Sequence, residues 1–79
     1  MIPFYIDSAQ KAAKLASICD RYKDNIGGVD VHYGKYVIDG ASVMGLVDLI
    51  GRFVGLEVIN PEGDKFEMFK TEVEEISGC

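Results

Sequence analysis

Residues 34–46 read Gly-Lys-Tyr-Val-Ile-Asp-Gly-Ala-Ser-Val-Met-Gly-Leu, and this stretch is the most informative about the fold. Its first half predicts a short apolar strand that runs into a turn. Ser42 then stands directly before a very apolar run. It is therefore predicted to be a helix N-cap, whose hydroxyl accepts a hydrogen bond from a free backbone N–H of the first turn.

Alternating apolar residues on either side of this stretch predict four strands. The first covers residues 2–6, and Pro3 favours a place at the sheet edge because proline cannot donate to a strand ladder. Residues 29–38 predict a hairpin with its turn near Tyr33-Gly34. The fourth strand is predicted at residues 56–59, after Gly55.

Three stretches have the periodicity of amphipathic helices. The first helix is expected to open at Asp7 or Ser8, where Asp7 and Gln10 have capping-box spacing, and to end at Gly27-Gly28. The second is expected from Ser42 to about Arg52, with Leu46, Leu49, Ile50 and Phe53 on its core face. The third is expected to be capped by Asp64 and to end at Ser77-Gly78. The predicted core comprises Ala12, Leu15, Cys19, Val29, Val31, Leu46, Leu49, Phe66, Phe69 and Val73.

The predicted order β-α-β-β-α-β-α indicates a single α+β domain over residues 1–79, built as a two-layer open-faced sandwich. A ferredoxin-like sandwich shares the first six of these elements, so the order of elements leaves the strand topology open.

Composition excludes several classes of function. The chain has 79 residues and a formal net charge of −5, a poor match for nucleic acid, because affinity there comes from Lys and Arg that neutralise phosphates. No stretch has the length of a membrane span or the features of a signal peptide, which indicates the cytoplasm. Cys19 is expected to be a buried apolar residue, and Cys79, the last residue, is expected to be exposed. One histidine without a Cys-x-x-Cys motif gives too few ligands for zinc, and no cofactor is predicted.

The run Gly-Lys-x-Val…Ser-Val-Met-Gly-Leu resembles a segment of HPr, the small phosphocarrier of the bacterial sugar phosphotransferase system. The first helix also aligns without gaps, with Ala12, Leu15, Cys19 and Tyr22 at positions typical of that family. The resemblance implies a four-stranded antiparallel sheet of order 1-4-2-3 with three helices on one face.

The resemblance also implies where function would lie. The family's matching serine, here Ser42, is phosphorylated by a regulatory kinase. Ser8 stands where the phosphocarrier histidine would be, and Gln10 where its arginine would be. Serine beside glutamine supplies neither the nucleophile nor the positive charge of phosphoryl transfer, so catalysis is not expected. His32 is expected to be an exposed polar residue of the hairpin, and the acidic run Glu72, Glu74 and Glu75 a solvated face.

Val43, Met44 and Val47 fall on the side of the second helix opposite its predicted core face, yet all three are apolar. Apolar residues at exposed helix positions indicate a binding surface. In HPr the corresponding residues contact kinases and regulatory targets.

The leading hypothesis is a non-enzymatic, HPr-like regulatory module that binds protein partners through this surface, under control of Ser42 phosphorylation. The partners implied are phosphotransferase-system components, a serine kinase or a transcriptional regulator. Two alternatives remain: a phosphocarrier that uses Ser8 or His32, and a ferredoxin-like interaction or oligomerisation module.

Overall fold

The computed structural model describes residues 1–77, which form one sheet of four strands and three helices. Along the chain the elements are β1 (Ile2–Ile6), α1 (Ala9–Ile26), β2 (Val29–Tyr33), β3 (Tyr36–Asp39), α2 (Val43–Val47), β4 (Arg52–Val58) and α3 (Asp64–Ser77). This is the predicted order β-α-β-β-α-β-α. None of the helices formed by residues 1–77 is long and apolar enough to span a bilayer.

The strands lie in the order β1-β4-β2-β3, and each neighbouring pair is antiparallel. The order 1-4-2-3 implied by the resemblance is therefore confirmed. β4 separates β1 from β2, which distinguishes this sheet from the ferredoxin-like alternative. The prediction that β1 is an edge strand is also confirmed, since β1 pairs only with β4 and Pro3 lies opposite Gly55.

Apolar side chains from one face of the sheet and from the helices form one core cluster. Eight of the ten residues predicted for the core are buried, while Leu49 and Phe66 are partly buried and pack against the cluster. Removing a fully buried Leu or Phe side chain from water contributes about 1.5–3 kcal/mol to folding. The buried residues are Phe4, Ile6, Ala12, Leu15, Ala16, Ile18, Cys19, Tyr22, Ile26, Val29, Val31, Leu46, Val54, Leu56, Phe69 and Val73.

α2 is much shorter than predicted. It ends at Val47, and the segment that follows has tight turns in which the amides of Leu49, Ile50 and Arg52 donate to carbonyls three residues earlier. Gly51, at φ +87°, then donates to the Ile6 carbonyl at 2.6 Å. Pairing with β1 therefore overrides the helical spacing of residues 46–53.

β4 consequently begins at Arg52, four residues before the predicted start. Two residues predicted for the core face of the second helix are exposed instead. Phe53 lies on β4 opposite Tyr5 and is 73% exposed, and Ile50 is 39% exposed. Their spacing from Leu46 fits a helical face, but the alternation of Val54 with Leu56 belongs to a strand. The prediction that both face the core was wrong.

The ends of α1 follow from two residues. Ser8 is the N-cap, with its hydroxyl accepting from the Lys11 amide at 3.2 Å, so the Asp7–Gln10 capping box is not formed. Gly27 ends the helix in the left-handed conformation at φ +76°, which glycine adopts without a steric penalty. Asp64, predicted as the cap of the third helix, is instead the first residue of α3.

A side-chain cluster joins α1 to α3. Arg21 Nη1 lies 2.5 Å from Glu72 Oε1, and the buried Tyr22 hydroxyl donates to the other Glu72 oxygen. These bonds, first that from Tyr22 and then that from Arg21, lower the pKa of Glu72, while the Tyr22 pKa is raised chiefly by the hydrogen bond to Glu72. Tyr22 also packs edge-on against Phe69, with ring centroids 6.0 Å apart. Glu72 is thus part of the helix interface rather than of a solvated face.

Candidate functional site

Ser42 lies in a compact turn that connects β3 to α2. Its amide donates to the Asp39 carbonyl at 3.0 Å, and its hydroxyl accepts from the Gly45 amide at 3.3 Å. The Asp39 carboxylate accepts from the Ala41 amide at 3.0 Å, which closes the turn. The prediction that Ser42 is the N-cap of this helix is confirmed.

Acidic residues lie on both sides of Ser42 in the sequence. Asp39 lies three residues before it and Asp48 six residues after it, whereas residues 36–51 contain no Lys or Arg. A helix of five residues also has a much smaller dipole than the longer one predicted. A phosphate on Ser42 would therefore add negative charge close to Asp39, which itself lies near Lys23 of α1.

Two of the three residues predicted for partner binding are exposed. Met44 is 78% exposed and Val43 is 43% exposed. Val47 is half-buried and packs against the core, so it belongs partly to the fold. Ile50 follows one turn later, and its amide donates to the Val47 carbonyl. We refer to Val43, Met44, Val47 and Ile50 as the α2 patch.

Ser8 and Gln10, which the resemblance aligns with the phosphocarrier site of HPr, lie where α1 begins. Ser8 is already engaged as a cap, and Asp7 beside it forms an ion pair with Lys11 at 3.1 Å. The hydrogen bond from Lys11 is the main reason why the pKa of Asp7 is lowered. A charged carboxylate thus stands next to Ser8, while Gln10 is exposed and uncharged.

The charges around Ser8 are mixed. Phosphoryl transfer needs a positive charge that stabilises the transferred group. At this position Lys11 is paired with Asp7, and a second acid, Glu75, lines the same open groove of about 420 Å³. The groove also contains Lys14, which is exposed and lies one turn further along α1.

His32 lies on the outward face of the sheet, as predicted, but it is not a free polar residue. Its Nε2 atom lies 2.7 Å from Glu57 Oε1 on the neighbouring strand, and its side chain is 25% exposed. Asp30 belongs to the same group, since one ligand atom of each of these three side chains lies within 4.8 Å of the other two. Sequence reasoning missed this group.

The signal for that group was present in part. Asp30 and His32 alternate with buried valines, and Glu57 lies between Leu56 and Val58, so all three fall on the outward face by pattern alone. The missing information was the register of β2 against β4, which places Asp30 directly opposite Glu57.

Cys19 is buried, as expected, and is not a reactive thiol. Burial, with a smaller effect of the nearby Asp39 carboxylate, raises its pKa to about 12. A thiol with such a pKa stays protonated near neutral pH and is a poor nucleophile. The prediction for Cys79 lies outside the described residues.

Comparisons with known proteins add no relative to this picture. No family model matches the chain, and no curated protein or solved structure matches it either.

Proposed function

We propose that this chain is an HPr-like, non-enzymatic module that binds a protein partner through the α2 patch. The observation that supports this proposal best is the exposure of Val43 and Met44, two adjacent apolar residues at the start of a helix with one buried residue. Apolar area that the core leaves exposed is available for a partner, and Met adapts well to an irregular apolar surface. The strand order and the Ser-Val-Met-Gly-Leu run support the HPr-like part of the proposal.

Charge around the α2 patch defines the chemistry of the partner. In the sequence Asp39 and Asp48 flank the patch, with no basic residue between positions 36 and 51, and Lys23 of α1 lies near Asp39. The whole chain carries a formal net charge of −5. The partner we propose therefore presents an apolar groove with Lys or Arg at its rim, because complementary charge speeds association and selects the partner.

The start of α1 supports a role without phosphoryl transfer. Ser8 caps the helix, Asp7 places a negative charge beside it, and Gln10 offers no positive charge. In this proposal the module keeps the family's surface for recognition and has lost its group-transfer chemistry. It would act in the cytoplasm, beside phosphotransferase-system components, a serine kinase or a transcriptional regulator.

Phosphorylation of Ser42 would strengthen contacts with basic partner surfaces and weaken contacts with apolar or acidic ones. The modification adds a charge of about −1.5 to −2 near neutral pH. Next to Asp39, this charge would repel an apolar or acidic partner surface and attract a rim rich in arginine. In the proposal, phosphorylation of Ser42 selects between partners without altering the fold.

Site-specific cross-linking tests the proposed surface. A photoreactive residue replaces Met44 in one version of the chain and Met68 in the other, since Met68 is an exposed methionine of α3 that lies outside the α2 patch. We expect a partner to be captured from position 44 and not from position 68.

The captured protein is then purified and titrated with three forms of the chain. Met44→Glu should abolish binding, because an unpaired carboxylate would be desolvated in an apolar contact, whereas Met68→Glu should bind like the original chain. Affinity should fall as salt is added, because the contact joins opposite charges. Equal capture from both positions, no capture, or equal loss of binding in both variants would contradict the proposed surface.

A further inference from the structure

The outward face of the sheet brings three potential metal ligands together on two strands. Asp30 and His32 lie on β2, Glu57 lies on β4, and Asp30 stands directly opposite Glu57 in the register. One ligand atom from each side chain lies within 4.8 Å of the other two. Adjacent strands hold these positions, so the backbone of the group is fixed by the sheet.

We propose that Asp30, His32 and Glu57 bind a divalent first-row transition metal ion, with Zn²⁺ as the probe ion. Imidazole nitrogen and carboxylate oxygen coordinate such ions at about 2.0–2.2 Å, which places the ligand atoms of a tetrahedral site about 3–3.5 Å apart. Three protein ligands leave a coordination position open for water or for a group from a binding partner.

The two carboxylates belong to residues that lie directly opposite each other on β2 and β4. Like charges directly opposite in a sheet destabilise the pairing. Glu57 shares one oxygen with His32, but within residues 1–77 the carboxylate of Asp30 accepts no hydrogen bond and forms no ion pair. An ion between the three groups would neutralise this repulsion and use the unpaired carboxylate.

The donor set favours a transition metal over Mg²⁺ or Ca²⁺. Those two ions take oxygen ligands, whereas imidazole suits Zn²⁺ and its first-row neighbours. Asp39 lies opposite Asp30 on β3, but its carboxylate accepts from the Ala41 amide and does not join the group. Asp39 lies near Cys19 and Lys23 of α1 instead.

On the side of β4, the residue beside His32 is a glycine that the Met1 side chain covers. Gly55 is the residue opposite His32, and it has no side chain on the outward face. The Met1 side chain covers this glycine, with its sulfur 2.8 Å from the position that a Cβ atom would occupy. The proposed site is thus bordered by an apolar side chain and stays open to solvent above the carboxylates.

Metal titration of the tag-free, chelator-treated chain tests the proposal. Zn²⁺ binding is measured by calorimetry, and Co²⁺ is used as a spectroscopic substitute whose absorption reports the ligand set. Because His32 is the one histidine of the sequence, its imidazole signals can be followed without ambiguity. The experiment uses a Cys79→Ser background, which removes the terminal thiol as a competing ligand.

We expect one Zn²⁺ ion per chain, broadened or shifted His32 signals, and loss of binding in His32→Ala. Asp30→Asn and Glu57→Gln should each weaken binding severalfold, whereas Glu62→Gln, which removes an exposed carboxylate elsewhere, should leave it unchanged. Circular dichroism of each variant shows whether it is folded. Absence of binding to the folded original chain, binding that survives in His32→Ala, or an equal effect of Glu62→Gln would overturn the proposal.

Discussion

The α1–α3 interface and the α2 region use apolar residues in opposite ways. α1 and α3 have 18 and 14 residues, and a buried tyrosine, an ion pair and the Phe69 ring join them. α2 has five residues, of which Leu46 is buried, while Met44 and Val43 are exposed. Most of the buried apolar side chains therefore lie in the two long helices and the sheet, whereas α2 leaves apolar side chains exposed.

Truncation of core residues should give the largest changes in the free energy of unfolding. The changes at Phe69 and Leu46 compare the contribution of the α1–α3 interface with that of α2. Phe69→Ala is expected to lower the free energy of unfolding by about 3–5 kcal/mol, and Leu46→Ala by about 2–5 kcal/mol, because both side chains are fully buried. Denaturant unfolding measures both changes, with Met44→Ala as the exposed control. A near-neutral Leu46→Ala would show that α2 is held by something other than its one buried residue.

The cap of α2 should contribute less than the core. Ser42→Ala is expected to lower the free energy of unfolding by about 1 kcal/mol, since the Gly45 amide loses its acceptor. Ser42→Asn, which retains a capping oxygen, should be close to neutral. Thermal unfolding of the pair checks this prediction. Equal destabilisation by both substitutions would show that the hydroxyl has a role beyond the cap.

The smallest effect expected is a pH dependence at the α1–α3 interface. The pKa of Glu72 is lowered in the folded chain from its ordinary value of 4.5, so its ionised form stabilises the fold above that pH. This contribution is lost as the pH falls through the folded-state pKa. Glu72→Gln should therefore be less stable than the original chain at pH 7, and the difference should shrink below about pH 4.5. Chemical unfolding across this range measures it, and a difference independent of pH would exclude ionisation as its cause.

Elements that depend on local interactions were predicted better from the sequence than elements that depend on long-range pairing. Long periodic patterns such as that of α1, and capping residues such as Ser8, Gly27 and Ser42, act locally, so the elements they define were predicted well. The boundary between α2 and β4 was not, because residues 48–53 fit a helical pattern and only their pairing with β1 makes them a turn and a strand.

Prediction of the candidate sites was limited in the same way, because some site residues meet only through long-range packing and pairing. Exposure of Val43 and Met44 follows from their place in one short helix and was predicted, while the half-burial of Val47 depends on packing with distant residues. The group of Asp30, His32 and Glu57 depends on the register of two strands far apart in the sequence. Pattern indicates which face such residues occupy, but register decides which of them meet.

An assay of phosphoryl transfer tests the central claim, which is that this chain acts by binding rather than by group transfer. The chain is incubated with the general phosphotransferase enzyme and phosphoenolpyruvate, beside an ordinary HPr as the positive control, and its intact mass is measured. We predict an unchanged mass, because Ser8 is a helix cap beside a charged Asp7, and the resemblance places Gln10 where the family has its arginine. A rapid, stoichiometric gain of one phosphoryl group, lost in Ser8→Ala or His32→Ala, would contradict the account.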